Sequence, residues 1–181
     1  MNIYETREYR IFEREYVSQL RPHQNTCLTK MISEDKMTIC MPTGTGKSRV
    51  IYADMLDHLK APTFDTFVIA SHRLLLNIQH FTELFSTFEI LATKIGFIFV
   101  GSGGVDLSEF QKNLSLNAKL AQAKVNYPDL ISTCSSASEI FEKVAEHHQA
   151  KRDVIIISTY HSLHKLSNIE IHTLYCDEAH F

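Results

Sequence analysis

Two groups of residues in this chain are of the types that handle phosphate and water. The first is Met41-Pro42-Thr43-Gly44-Thr45-Gly46-Lys47-Ser48. A short apolar run, Thr38-Ile39-Cys40-Met41, leads into it, and a stretch of helical periodicity opens at Gly46. Glycines let a backbone curl until successive N–H groups point at one anion, and a helix start adds partial positive charge. In such a strand–turn–helix, a P-loop, the backbone of Thr43, Gly44, Thr45 and Gly46 cradles the phosphates of a nucleotide. Lys47 reaches the β- and γ-phosphates, and the Ser48 hydroxyl ligates Mg²⁺. The first place of the pattern, held by Gly or Ala in its general form, carries Met41.

The second group is Asp177-Glu178-Ala179-His180, at the end of the apolar run Leu174-Tyr175-Cys176. Two adjacent carboxylates divide the work of hydrolysis. Asp177 holds the hydrated Mg²⁺, and Glu178 orients and deprotonates the attacking water. Taken alone, a charge pair after a strand is most often plain surface. Its place about 130 residues downstream of Lys47 gives it specificity.

These groups need a scaffold, and the chain spells one. Runs at residues 38–41, 67–70, 97–100, 154–157 and 174–176 are short, nearly continuous in apolarity and rich in β-branched and aromatic residues. That is the signature of strands covered on both faces. Helical stretches lie between them, opening at Arg21-Pro22-His23, running from Gly46 past Leu59, and spanning residues 75–85, 107–125 and 137–147. Strand and helix in alternation predict an α/β fold with a mostly parallel sheet and helices on both faces. Gly101, Gly103 and Gly104 end the third run in a turn. The polar stretch 105–136 reads as surface helices and loops, and His147 and His148 as a solvated helix face. No internal repeat or low-complexity tract interrupts the pattern.

Composition bounds the answer. With 181 residues, 44% apolar and 22% charged, the chain suits one domain with a real core. No apolar run approaches the roughly 20 residues of a membrane helix, and the N-terminus lacks a signal-peptide core. An intracellular protein, cytoplasmic or nuclear, is expected. A net charge of −3 argues against a free-standing nucleic-acid clamp. Four cysteines, Cys27, Cys40, Cys134 and Cys176, are scattered without ligand spacing, so zinc and disulfides are not expected.

In this order, the motifs resemble those of superfamily 2 helicases and translocases of the DEAD/DEAH type. PTGTGKS looks like their motif I and DEAH like their motif II. Leu20-Arg21-Pro22-His23-Gln24 is similar to the segment whose glutamine reads the adenine edge, which implies that role for Gln24. Residues 70–79 are similar to motif Ia, although His72 stands where the family has proline. Ser158-Thr159-Tyr160-His161-Ser162-Leu163 is similar to a segment of restriction-type and viral members near the strand's phosphates. The resemblance implies ATP and Mg²⁺ as cofactors, and nucleic-acid contacts at Arg73, Gln79 and Thr159. The spelling of the motifs favours the restriction-type branch, with DNA ahead of RNA as partner.

The resemblance also sets boundaries. It implies a RecA-like P-loop NTPase domain over residues 20–181, preceded by an N-terminal helical extension at 1–19 and truncated after the acidic-box strand. The family's motif III, its intervening central strand and its second domain with arginine fingers are not spelled in these residues. A gap in the sheet, a need for the remaining core in cis or trans, and negligible turnover by this chain alone are therefore expected. The competing reading is a truncated nucleotide-binding or accessory module with no helicase activity of its own. A GTPase would require N-K-x-D, which does not occur, and a small-molecule kinase has no need of the acidic box.

Overall fold

Local sequence decides where each helix of the first compact unit begins. The computed structural model describes residues 6–42, 44–59, 63–88, 94–101, 122, 123 and 125–178. They fall into two units, Met1–Pro62 and Thr63–Phe181. In the first, α1 (Arg7–Ser18) is capped by Thr6, whose Oγ1 accepts a hydrogen bond from the Tyr9 amide. Pro22 starts α2 (Pro22–Ser33), where a missing N–H costs nothing. Gly46 turns the chain through a left-handed conformation into α3 (Lys47–His58). Leu20, Leu28, Val50 and Ala53 form the small core of this unit. The buried Tyr9 hydroxyl donates to the Leu56 carbonyl at 2.7 Å, tying α1 to α3.

Residues 38–41 correct the sequence expectation. They form no strand, and Thr38 and Cys40 are exposed. An apolar run becomes a strand only when a neighbour supplies the ladder. Among the described residues none pairs with these.

The second unit is a five-stranded parallel sheet in the order β3-β2-β4-β1-β5. Its strands are β1 (Thr66–Ser71), β2 (Ile95–Val100), β3 (Ile131–Cys134), β4 (Asp153–Thr159) and β5 (Thr173–Cys176). β1 and β2 are buried along their whole length, and β4 up to Ser158. Because side chains alternate, the two faces sort by residue parity. Val68, Ile98, Val100, Val154 and Ile156 pack with Ile140 and Val144 of α5 (Ala137–Gln149). On the opposite face, Phe81 and Phe85 of α4 (Leu74–Thr87) meet Phe97, each with ring centroids 5.7 Å away. The fold is thus a RecA-like α/β domain with helices on both faces of its sheet. No described helix is long and apolar enough to cross a membrane.

Two further expectations are corrected. β3 lies inside the stretch 105–136, which reads as surface helices and loops; Ser132 and Thr133 dilute its apolar signal, as suits an edge strand. The expected helix at 107–125 falls mostly outside the described residues, as do Gly103 and Gly104. His147 is not on a solvated face: it is 3% exposed, packed flat over Gly96 of β2. A Cβ at Gly96 would lie 2.4 Å from that ring. Among the described residues neither ring nitrogen of His147 has a hydrogen-bond partner, and burial lowers its pKa to about 4.

Candidate nucleotide and nucleic-acid site

The glycine turn is built from left-handed backbone. Gly44 and Gly46 have φ of 79° and 80°, a region that L side chains rarely adopt. Between them the Thr45 hydroxyl donates to the Pro42 carbonyl at 2.6 Å, closing the turn on itself. Lys47 and Ser48 follow as the first residues of α3, so their position at a helix N-terminus comes from the fold. The Lys47 ammonium donates to the Met41 carbonyl at 3.3 Å, across the mouth of the turn. Thr43 lies outside the described residues.

Gln24 holds the turn from beneath. Its Oε1 accepts from the Arg21 amide at 2.8 Å, and its Nε2 donates to the carbonyls of Thr45 (2.8 Å) and Gly46 (3.3 Å). The side chain is buried, and a Cβ on Gly46 would come within 2.5 Å of that Nε2. Only glycine satisfies both the sign of φ and this approach.

In the second unit the sheet gathers the other candidates at the C-terminal ends of its strands. Ser71 at the end of β1 pairs with Thr159 of β4, and Ala70 pairs with Cys176 of β5. After β1 the chain leaves toward β2, and after β4 it crosses to β5, on the other side of β1. Strand ends at such a reversal are where open parallel sheets bind ligands. Arg73 is exposed at the start of α4, Thr159 is half-buried, and Asp177 follows β5 with its amide donating to the Ala70 carbonyl at 2.8 Å. Gln79 lies further along α4, exposed, with its amide donating to Glu83 at 2.9 Å.

Side chains from other elements hold the acidic pair. His80 Nε2 lies 3.0 Å from Asp177 Oδ2, and the Tyr160 hydroxyl donates to the Asp177 carbonyl at 2.7 Å. Burial, aided by Cys176 and Asp177, pushes the Tyr160 phenol up to about 12, so it is a donor at any ordinary pH. His72 Nδ1 stands 3.5 Å from Glu178 Oε2. Glu178 itself has φ of 55°, a conformation that costs a non-glycine residue roughly 1–2 kcal/mol. Toward the opposite edge of the sheet, the Lys165 ammonium donates to the carbonyls of Gly101 and Ser135, bridging the ends of β2 and β3. Ala179 and His180 fall outside the described residues.

The parallel sheet flanked by helices is the architecture of the RecA-like class, while the glycine turn opening a helix belongs to the first unit and the carboxylate pair at a strand end to the second. The DEAD/DEAH box helicase family model matches residues 21–181, and the chain belongs to that family. Membership carries ATP-dependent, helicase-type function, with binding of nucleotide and of nucleic acid. No solved structure matches the chain.

Proposed function

We propose that this chain supplies the nucleotide-binding part of a nucleic-acid motor, in which Thr43, Gly44, Thr45, Gly46, Lys47 and Ser48 embrace the phosphates of Mg²⁺-ATP. The observation that carries this reading is the pair of left-handed glycines delivering Lys47 and Ser48 to the first turn of α3. Magnesium selects hard oxygen donors, and the Ser48 hydroxyl and the Asp177 carboxylate are donors of that kind at the positions to which the motif resemblance gives this role. Magnesium would neutralise charge on the phosphates, while Glu178 takes the proton of the attacking water. Lys47 is already aimed across the turn, and its 3.3 Å bond to Met41 is weak enough for a phosphate oxygen to replace.

Arg73, Gln79 and Thr159 contact the nucleic-acid strand in this reading. The motif spelling favours the restriction-type branch and DNA over RNA. The remaining helicase core acts in cis or in trans, with residues 1–19 as an extension ahead of the motor domain. Four free thiols accord with an intracellular setting.

Titration with a fluorescent ATP analogue tests the nucleotide site. Lys47→Ala should weaken binding at least tenfold, since one charge-assisted contact contributes about 1.5–3 kcal/mol. Equal affinity of the two chains would sink the reading. By itself the chain should turn over ATP negligibly, because an arginine finger contributes roughly 10³–10⁵ in rate. Nucleic-acid-stimulated hydrolysis by this chain alone would show that it needs no further core.

A further inference from the structure

We propose that His80 is a positioning residue for the acidic box: it fixes the orientation of the Asp177 carboxylate and so tunes its grip on a divalent cation. The proposal rests on the assignment of Asp177 as the magnesium ligand. A carboxylate only accepts hydrogen bonds, so the 3.0 Å contact identifies Nε2 of His80 as the atom carrying the proton.

Three observations make this contact more than incidental. His80 is 4% exposed, and its partner side chain 13%, so the bond is shielded from competing water. The helix that presents His80 is anchored by its neighbours, Ile78, Phe81 and Leu84, all buried, with the Phe81 ring 5.7 Å from Phe97 of β2. Its Cα is therefore fixed relative to the sheet. At the other end, the Asp177 backbone is held twice, by its own amide to Ala70 and by the Tyr160 hydroxyl at its carbonyl. With the backbone so held, the His80 contact at Oδ2 bears on the rotation of the carboxylate. Partners of metal ligands act in this way, and losing one typically costs about 10–100-fold in metal affinity.

The experiment measures cation affinity, independently of turnover. Mn²⁺, as a spin-active substitute for Mg²⁺, is titrated into the chain saturated with ADP, and free Mn²⁺ is read by electron paramagnetic resonance. His80→Met keeps the volume and removes the donor; His80→Gln keeps a donor at nearly the same reach. We expect His80→Met to weaken Mn²⁺ about tenfold and His80→Gln to restore most of that loss. Metal-free ADP binding should be unchanged in both. Wild-type Mn²⁺ affinity in His80→Met, alongside its loss in an Asp177→Asn control, overturns the proposal. Retention of Mn²⁺ by Asp177→Asn instead removes the assignment of Asp177 itself. Should His80→Met not fold, nitrogen-15 resonances of the unsubstituted chain decide. The His80 Nε2 signal must shift when Mg²⁺-ADP is added, and an unmoved signal overturns the proposal.

Discussion

Gln24 spends both ends of its amide on protein, and this shapes what its loss should do. The oxygen holds the amide of Arg21, the N-cap of α2, and the nitrogen holds two carbonyls of the glycine turn. An adenine could be read only if one of these bonds were exchanged for the base. The bracing role predicts that Gln24→Ala weakens ATP and GTP alike, by about tenfold, as expected for losing buried hydrogen bonds of about 1 kcal/mol each. Competition titrations with both nucleotides check this; a loss confined to ATP would show the amide reading adenine. Gly46→Ala should be more severe. It combines left-handed strain with a 2.5 Å approach to Gln24, and nucleotide binding should disappear while α1 and α2 stay folded by circular dichroism.

At the scale of elements, the contact between α5 and β2 is where packing and protonation meet. His147 covers Gly96 and stays neutral because burial disfavours its charged form. The same burial lowers His148, which bonds Thr66 Oγ1 at 3.2 Å. For His147 the folded value near 4 lies below the unfolded 6.5, so the unfolded chain binds protons first as the solution is acidified. Its contribution is complete above pH 6.5 and drains away as pH falls toward 4, on the order of 3 kcal/mol. Urea unfolding between pH 4 and 7 should show that decline, and His147→Met should reduce its slope. Gly96→Ala should cost about 1–3 kcal/mol through overpacking, and His147→Ala in the same chain should relieve part of it. Neither partner is legible alone, since adjacent histidines near a helix end look like surface. The strands β1, β2, β4 and β5 were legible because each is an unbroken apolar run. β3 was hidden by its polar centre, and residues 38–41 show that a strand's spelling does not supply its neighbour. Among the candidate residues, Lys47, Ser48 and Asp177 are proposed from type and spacing. His80 could not be, for it meets Asp177 across 97 residues of sequence, a contact that only the sheet and α4 create.

For the molecule as a whole, the governing quantity is a net charge of −3 set against the proposed strand-binding edge. Arg73 is exposed there, while Lys165 is committed to two carbonyls at the neighbouring strand ends. A surface of this kind neutralises few phosphates, and each one neutralised on a single strand contributes about −0.7 to the slope of log affinity against log salt. With one or two such contacts the slope should lie at about −0.7 to −1.4, and affinity should be weak even at low salt. Fluorescence anisotropy with single-stranded DNA and RNA oligonucleotides between 50 and 200 mM salt, about the range over which this effect is largest, measures it. Arg73→Ala should flatten the slope by nearly one contact and weaken all sequences uniformly, because a phosphate contact carries no base information. A slope of about −5 or steeper would require a strand path over other cations, and would move the nucleic-acid site away from the ends of β1 and β4.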